Sequence, residues 1–247
     1  MPAMILELKY LVLLAALALA SYHDIRTREI EDKIWLIAGA LGAILTAYEA
    51  LTVPSYSMPF ALASIGLTAL LAFGVYFLGL YGGADAKALL VIAVTVPLSP
   101  AVSVSFSPFF PLTVLGNALL CSLALIPACI IYNAMWVASR RRALFGGIHA
   151  GILTKIGALF TGIKVKPKTA KLVHFNLLEV HAEGEPTSKG LRLFAKVTDE
   201  DEVKVIDENS EYVWVTPAIP MIVFFLIGLI LAMLGADLIF GLLAFLI

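Results

Sequence analysis

The sequence predicts an all-α polytopic membrane protein: six transmembrane helices, with a small cytoplasmic, mainly β insert before the last of them. Three observations lead there. Of the 247 residues, 61% are hydrophobic and only 14% charged, with a mean hydropathy of +0.96, well outside the range of ordinary soluble domains. Apolar runs near the ~20 residues needed to cross a ~30 Å hydrocarbon core recur along the chain, and in lipid they must be helical because no water satisfies exposed backbone groups. The charges are also segregated: between Ile34 and Ala138 the only basic residue is Lys87.

The predicted membrane domain covers residues 1–138, with helices at about 5–22, 34–51, 58–80, 86–106 and 112–138. The insert occupies 139–216, and a sixth helix with its tail occupies 217–247. The first run, Ile5 to Tyr22, ends in Ala18-Leu-Ala20, which mimics a signal-peptidase site. Its positive flank lies on the wrong side for a cleaved signal: only Lys9 falls within the run, while Arg26, Arg28 and Lys33 follow it. The positive-inside rule therefore predicts an uncleaved anchor with its N-terminus outside.

The segment Tyr22 to Lys33 is then a cytoplasmic connection, and the uncharged Val53-Pro-Ser-Tyr-Ser57 faces outside. The third run returns the chain to the cytoplasm. The fourth is punctuated by Pro97 and Pro100, and the fifth ends at the anchor Arg140-Arg-Arg142. From Arg140 to Lys171 there are eight basic and no acidic residues, with Ile148, Ile152, Ile156 and Leu159 at helical spacing. This reads as an interfacial helix against anionic headgroups. From Val173 to Val215 short alternating runs such as Leu191–Val197 and Val203–Ile206, separated by turn signals at 183–186 and 207–210, predict a small antiparallel sheet. Pro217 and Pro220 open the last span.

Cys121 and Cys129 lie in an apolar run without Cys-x-x-Cys spacing, so neither a zinc site nor a disulfide framework is indicated. His23, His149, His174 and His181 are scattered, and no metal or cofactor is expected. No nucleotide loop or nucleic-acid module is visible, so nucleic acid is not an expected partner. Asn117 and Asn133 read as hydrogen-bonders between helices.

The chemistry gathers at Gly79-Leu-Tyr-Gly-Gly-Ala-Asp85-Ala-Lys87, where a carboxylate and three glycines sit between two apolar runs. Asp85 is the only acidic residue between Glu49 and Glu179. It can be read as a helix-starting acid after a glycine turn, or as a functional carboxylate at a membrane boundary. Two predicted crossings separate it from Asp24, which places both at the same membrane face. Asp24 has its own plain reading, an i,i+4 pair with Arg28. Two carboxylates sharing one proton are what aspartyl hydrolysis needs, one acting as base on water while its protonated partner donates to the scissile carbonyl.

Asp24-Ile-Arg26-Thr-Arg28-Glu-Ile30 resembles the Asp-x-Arg-x-Arg-x-Ile segment of type IV prepilin peptidases. Gly82-Gly83-Ala84-Asp85-Ala-Lys87 is similar to their Gly-x-Gly-Asp-x-Lys element, the mark of GxGD-type membrane aspartyl proteases. Ala84 stands where that motif has its second Gly, and Glu31 where bacterial members usually have Pro. The cysteine-rich N-terminal insert of the bacterial enzymes has no counterpart in this sequence, and with the late soluble insert this makes archaeal preflagellin peptidases the nearer likeness. The resemblance implies a membrane aspartic endopeptidase with Asp24 and Asp85 catalytic, and Arg26, Arg28, Gly82, Gly83, Ala84 and Lys87 supporting. It also implies the short basic leader of preflagellin or pilin-like precursors as substrate, cut at the cytoplasmic face.

Two other expectations stand beside this. A small ion- or proton-coupled transporter would use the same two carboxylates. The stretch from Glu179 to Glu211, with ten acidic and four basic residues, is read either as a solvated surface or as a field that steers a basic leader.

Overall fold

The computed structural model describes residues 2–79, 82–100, 107–141, 143–171, 175–182, 185–191 and 210–246. The expected strands at 191–197 and 203–206, the turn at 183–186, most of the acidic stretch, and the second half of the fourth run all lie largely or wholly outside the described residues. By contacts the chain divides into two compact units, one formed by Met1–Ser122 with Pro220–Ile247 and the other by Leu123–Ile219.

The first unit is helical. It contains α1 (Pro2–Arg26), α2 (Asp32–Thr52), α3 (Met58–Phe77), α4 (Gly83–Thr95) and α5 (Phe110–Ser122). Among the described residues, four helical stretches are long and apolar enough to cross a membrane: Ala3–Arg26, Asp32–Thr52, Met58–Phe77 and Phe110–Arg140. A fifth is reached if the bent pair near the C-terminus, Met221–Met233 and Leu238–Leu246, counts as one span. The chain is thus a multi-pass membrane protein by length and composition.

Several helix boundaries differ from the sequence expectation, and the expected 112–138 helix is interrupted after Ser122 and resumes at Leu125. α1 runs through Arg26, one turn beyond the apolar run, and the chain turns only at Arg28, whose φ is 61°. α4 starts at Gly83 and stops at Thr95, two residues before Pro97, whose ring disfavours helical geometry in the residue preceding it. At thirteen residues α4 is too short to span unaided. It packs against α1, α2, α3 and α5, and Ala86, Ala88, Leu89, Val91, Ile92, Ala93 and Thr95 are all buried. A helix apolar all round belongs in the interior. The α2–α4 crossing is close: a Cβ on Gly42 would stand 2.0 Å from Thr95 Oγ1. Beside it, the Thr46 hydroxyl donates to the Thr95 carbonyl at 2.8 Å. The Ser64 hydroxyl of α3 donates to the Pro97 carbonyl at 2.6 Å, so the chain leaving α4 is held by a buried polar contact.

In the second unit, α6 (Leu125–Arg140) precedes α7 (Ile152–Thr161), β1 (Ile163–Val165) and the short α8 (Pro167–Ala170). The strands β2 (Phe175–Leu177), β3 (Glu179–Ala182), β4 (Glu185–Leu191) and β5 (Val213–Pro217) follow. β5 lies between β1 and β2 in an antiparallel sheet, Ile163 and Leu177 both opposite Val215, while β3 and β4 form a separate hairpin. Alternation along β5 makes the two faces. Val213 and Val215 pack with Val165 and Ala170, and Trp214 packs on the other face with Ile148, Ala158 and Leu178. The basic segment expected as one interfacial helix is only partly helical. Gly162 ends α7, and a Cβ there would meet Leu178 Cδ1 at 2.6 Å and the Ala158 carbonyl oxygen at 2.9 Å. After it, Ile163-Lys-Val165 extends as β1.

The chain ends in the first unit with α9 (Met221–Met233) and α10 (Leu238–Leu246), bent by 69° to one another. The bend follows from Gly235, at φ +79°, and from Asn117 of α5. The Asn117 amide donates to the Ala236 carbonyl at 2.9 Å, and its oxygen accepts from the Leu238 N–H at 2.8 Å. That is the interhelical bonding expected of it. Where the sequence alone continues an apolar run, this side chain satisfies the backbone groups that the break exposes.

Candidate active site

α1 delivers Asp24 in its last turn, at 8% exposure. The helix closes with the N–H groups of Thr27 and Arg28 both donating to the His23 carbonyl. Arg28 is left-handed, a conformation that favours glycine and costs other residues on the order of 1 kcal/mol or more. From there its guanidinium Nη1 reaches back to Asp24 Oδ1 at 3.1 Å. Ile30 packs against the buried core of the first unit, pinning the connection to α2.

Asp85 enters from α4. It sits at the third helical position, where its Oδ2 accepts the Gly82 N–H at 3.1 Å, so the helix-starting reading of this acid is observed in the geometry. A Cβ on Gly82 would lie 3.4 Å from that oxygen, an ordinary contact. Gly83 opens the helix, and a Cβ on it would meet the Tyr76 ring at 3.7 Å. Ala84 is half-buried in the same turn.

Lys87, one turn further on, donates to Asp32 Oδ1 at 2.6 Å. Asp32 lies in the first turn of α2, so this ion pair ties the beginnings of α2 and α4 together. The short connection from Arg26 to Asp32 puts the end of α1 beside the same beginnings, and α1 also touches α4. Asp24, Arg28, Asp85, Lys87 and Asp32 therefore gather at one end of the helical unit. Arg26 does not join them: its guanidinium bonds the Tyr22 hydroxyl and lies 5.7 Å from that ring's centre.

The electrostatics agree with the placement. Asp85 precedes the apolar part of α4, outside the spans, and burial pushes its carboxyl up from 3.8 to about 6. The Gly82 N–H pulls the other way, the Asp24 charge adds to the rise, and Arg28 opposes it. Asp85 thus feels both members of the Asp24–Arg28 pair. Among the described residues no group of three or more His, Cys, Asp or Glu side chains gathers as a metal site.

Asp32 was not singled out from the sequence. The signal available was an acid two residues ahead of a long apolar run, a helix-opening position, but its pairing with Lys87 is a tertiary fact. The same holds for Lys9 and Glu49, an ion pair between α1 and α2 in which the Lys9 side chain is 1% exposed.

Two carboxylates, Asp24 and Asp85, thus stand at adjoining helix ends within a multi-pass helical protein. Residues 11–126, which contain both Asp24 and Asp85, match the type IV leader peptidase family. The chain is also similar to three preflagellin peptidases over most of its length. It is 26% identical to that of Methanocaldococcus jannaschii over 246 residues, 95% of this chain and 96% of the relative. To those of Methanococcus maripaludis and Methanococcus voltae it is 25% and 26% identical, covering 87% of this chain in both cases and 90% and 89% of the relatives. The resemblance drawn from the two Asp motifs is borne out: residues 11–126 match the type IV leader peptidase family, and the chain is similar to preflagellin peptidases over most of its length.

Proposed function

We propose that this protein is a membrane aspartic endopeptidase that removes the short basic leader of preflagellin or type IV pilin-like precursors at the cytoplasmic membrane face. The observation that supports the reading is that Asp24 and Asp85 stand on the ends of two helices in contact, with the Asp24 charge adding to the rise of the Asp85 carboxyl. Asp85 retains its proton more readily than an ordinary carboxyl, and Asp24 is held beside a guanidinium. A proton retained on Asp85 suits the singly protonated pair that aspartyl hydrolysis uses.

In the proposed reaction the ionised carboxylate takes a proton from a water molecule, whose oxygen attacks the scissile carbonyl carbon. The protonated carboxyl donates to the carbonyl oxygen. Collapse of the tetrahedral intermediate breaks the C–N bond, the proton first taken from water passes to the leaving amine, and one hydroxyl of the intermediate returns its proton to the carboxylate that had donated one. The pair titrates as a unit, so the roles belong to the dyad. Gly82 and Gly83 keep the approach to Asp85 free of side chains, as an extended peptide requires.

The topology that accompanies this reading has six crossings, with 86–106 as the fourth span, the N-terminus outside, and the dyad together with 139–216 on the cytoplasmic side. Basic residues flanking α1 and following α6 support it. The test is cleavage of a preflagellin-like precursor in membranes by wild type, Asp24→Asn and Asp85→Asn. Loss of cleavage in both, at normal expression, is expected. Retained cleavage in either variant removes that carboxylate from the mechanism.

A further inference from the structure

A second feature lies within the Leu123–Ile219 unit. A groove of about 410 Å³ opens at the C-terminal end of α6, lined by Trp136 and Arg140 of α6, Lys164 of β1, Lys166, Thr169 of α8, and Tyr212 ahead of β5, among others. We propose that this groove binds the phosphate of an anionic phospholipid headgroup.

Charge is the first argument. Arg140, Lys164 and Lys166 converge from three parts of the fold, and the described lining residues include no carboxylate. Preorganisation is the second. The Arg140 guanidinium lies 5.3 Å from the Tyr212 ring centre, and the Lys164 amine 5.0 Å from that of Trp136. Trp136 and Tyr212 meet edge to face at 5.4 Å. Lys164 is 8% exposed, so aromatic faces hold its amine in place at the groove before any ligand arrives, which lowers the ordering cost of binding an anion. The volume falls within the usual range for small-molecule sites, roughly 300–1,000 Å³, enough for a glycerophosphate-sized group.

Position decides for a lipid over a soluble anion. Approaching Arg140, α6 carries the exposed apolar side chains Ile131, Met135 and Val137, and Met135 itself lines the groove. In the same unit α7 exposes Ile152, Leu153, Ile156 and Phe160, an apolar stripe suited to the membrane interface. An acyl chain lying along α6 brings its headgroup to the basic end, where aromatic and cationic side chains ordinarily meet the phosphate plane.

The experiment uses the full chain, reconstituted in phosphatidylcholine bilayers containing a minority of phosphatidylglycerol, then extracted and weighed by native mass spectrometry. Wild type is expected to retain phosphatidylglycerol over phosphatidylcholine. Lys166→Gln and Arg140→Gln, both at exposed positions, are expected to lower that retention about fivefold each. Lys155→Gln makes the same charge change outside the groove and is expected to leave it unaltered. Retention unchanged in the groove variants, or lowered equally by Lys155→Gln, overturns the proposal. If inorganic phosphate at equal concentration displaces the phosphatidylglycerol, the occupant is a soluble phosphate and the lipid assignment fails. Because the readout is bound lipid, the outcome is independent of whether Asp24 and Asp85 cleave peptides.

Discussion

Asp85 is asked to do two things that pull its carboxyl in opposite directions. As the third residue of α4 it accepts the Gly82 N–H, which favours the charged form, while burial and the Asp24 charge favour the neutral one and prevail, at about 6. The raised value makes protonated Asp85 the form the fold tolerates best. The contribution to stability is thus present below 3.8 and is lost as pH climbs through about 6. The thermal midpoint in detergent is expected to fall across that window, and Asp85→Asn, neutral at every pH, should flatten the dependence. A wild-type midpoint insensitive to pH between 4 and 7 would contradict the burial account. For the proposed reaction, kcat/KM on a precursor should carry a one-proton basic limb near the same value, since above it Asp85 loses the proton the dyad needs.

Asp24 and Arg28 show how a short sequence motif can be local and tertiary at once. Their i,i+4 spacing was readable as an ordinary helix pair, and the 3.1 Å contact is that pair. Yet Arg28 makes it from a left-handed residue beyond the helix end, and its charge also bears on Asp85. Spacing along one helix says nothing of the second carboxylate.

At the scale of elements, the position of Asp85 depends on how closely α4 can enter between its neighbours. Gly42 is the point where α2 gives way, since an added Cβ would overlap the Thr95 hydroxyl and approach its Cα to 3.1 Å. Gly66 on α3 has nothing within 4 Å of an added Cβ. Gly42→Ala is therefore expected to destabilise the protein by about 1–3 kcal/mol, the range for overpacking. Gly66→Ala should be neutral or stabilising by up to ~1 kcal/mol through reduced freedom of the unfolded chain. Denaturation in detergent followed by far-UV circular dichroism compares them. Equal midpoints for the two variants would mean that the crossing at Gly42 is looser than described. Because the same crossing sets the depth of α4, Gly42→Ala is also expected to lower cleavage, where Gly66→Ala is not.

At the scale of the molecule, the proposed active site requires the end of α1 and the beginnings of α2 and α4 to share one membrane face. α2 runs 21 residues from Asp32 to Thr52, about 31 Å at the helical rise, enough to carry the chain across the hydrocarbon core. With Cys121 and Cys129 replaced by Ser, single thiols at Glu29 and Lys87 are expected to label from the cytoplasmic side, and one at Ser55 from the outside. Labelling of Glu29 and Lys87 from opposite sides would end the dyad proposal.

The sequence by itself determined the class of solvent, the positions of the long helices, and the two Asp motifs, because hydropathy over ~20 residues and short chemical patterns are properties of contiguous chain. It also holds the Pro97 before which α4 stops, although the expected fourth helix ran on to 106. Only the tertiary structure decided that α4 is a short helix enclosed by others, since apolar residues on every side look the same whether they face lipid or protein. The Lys87–Asp32 tie, the Lys9–Glu49 pair and the bend that Asn117 holds between α9 and α10 belong there too. Each joins residues far apart in the chain, and a partner's distance in space is fixed by packing, which periodicity along one segment does not encode.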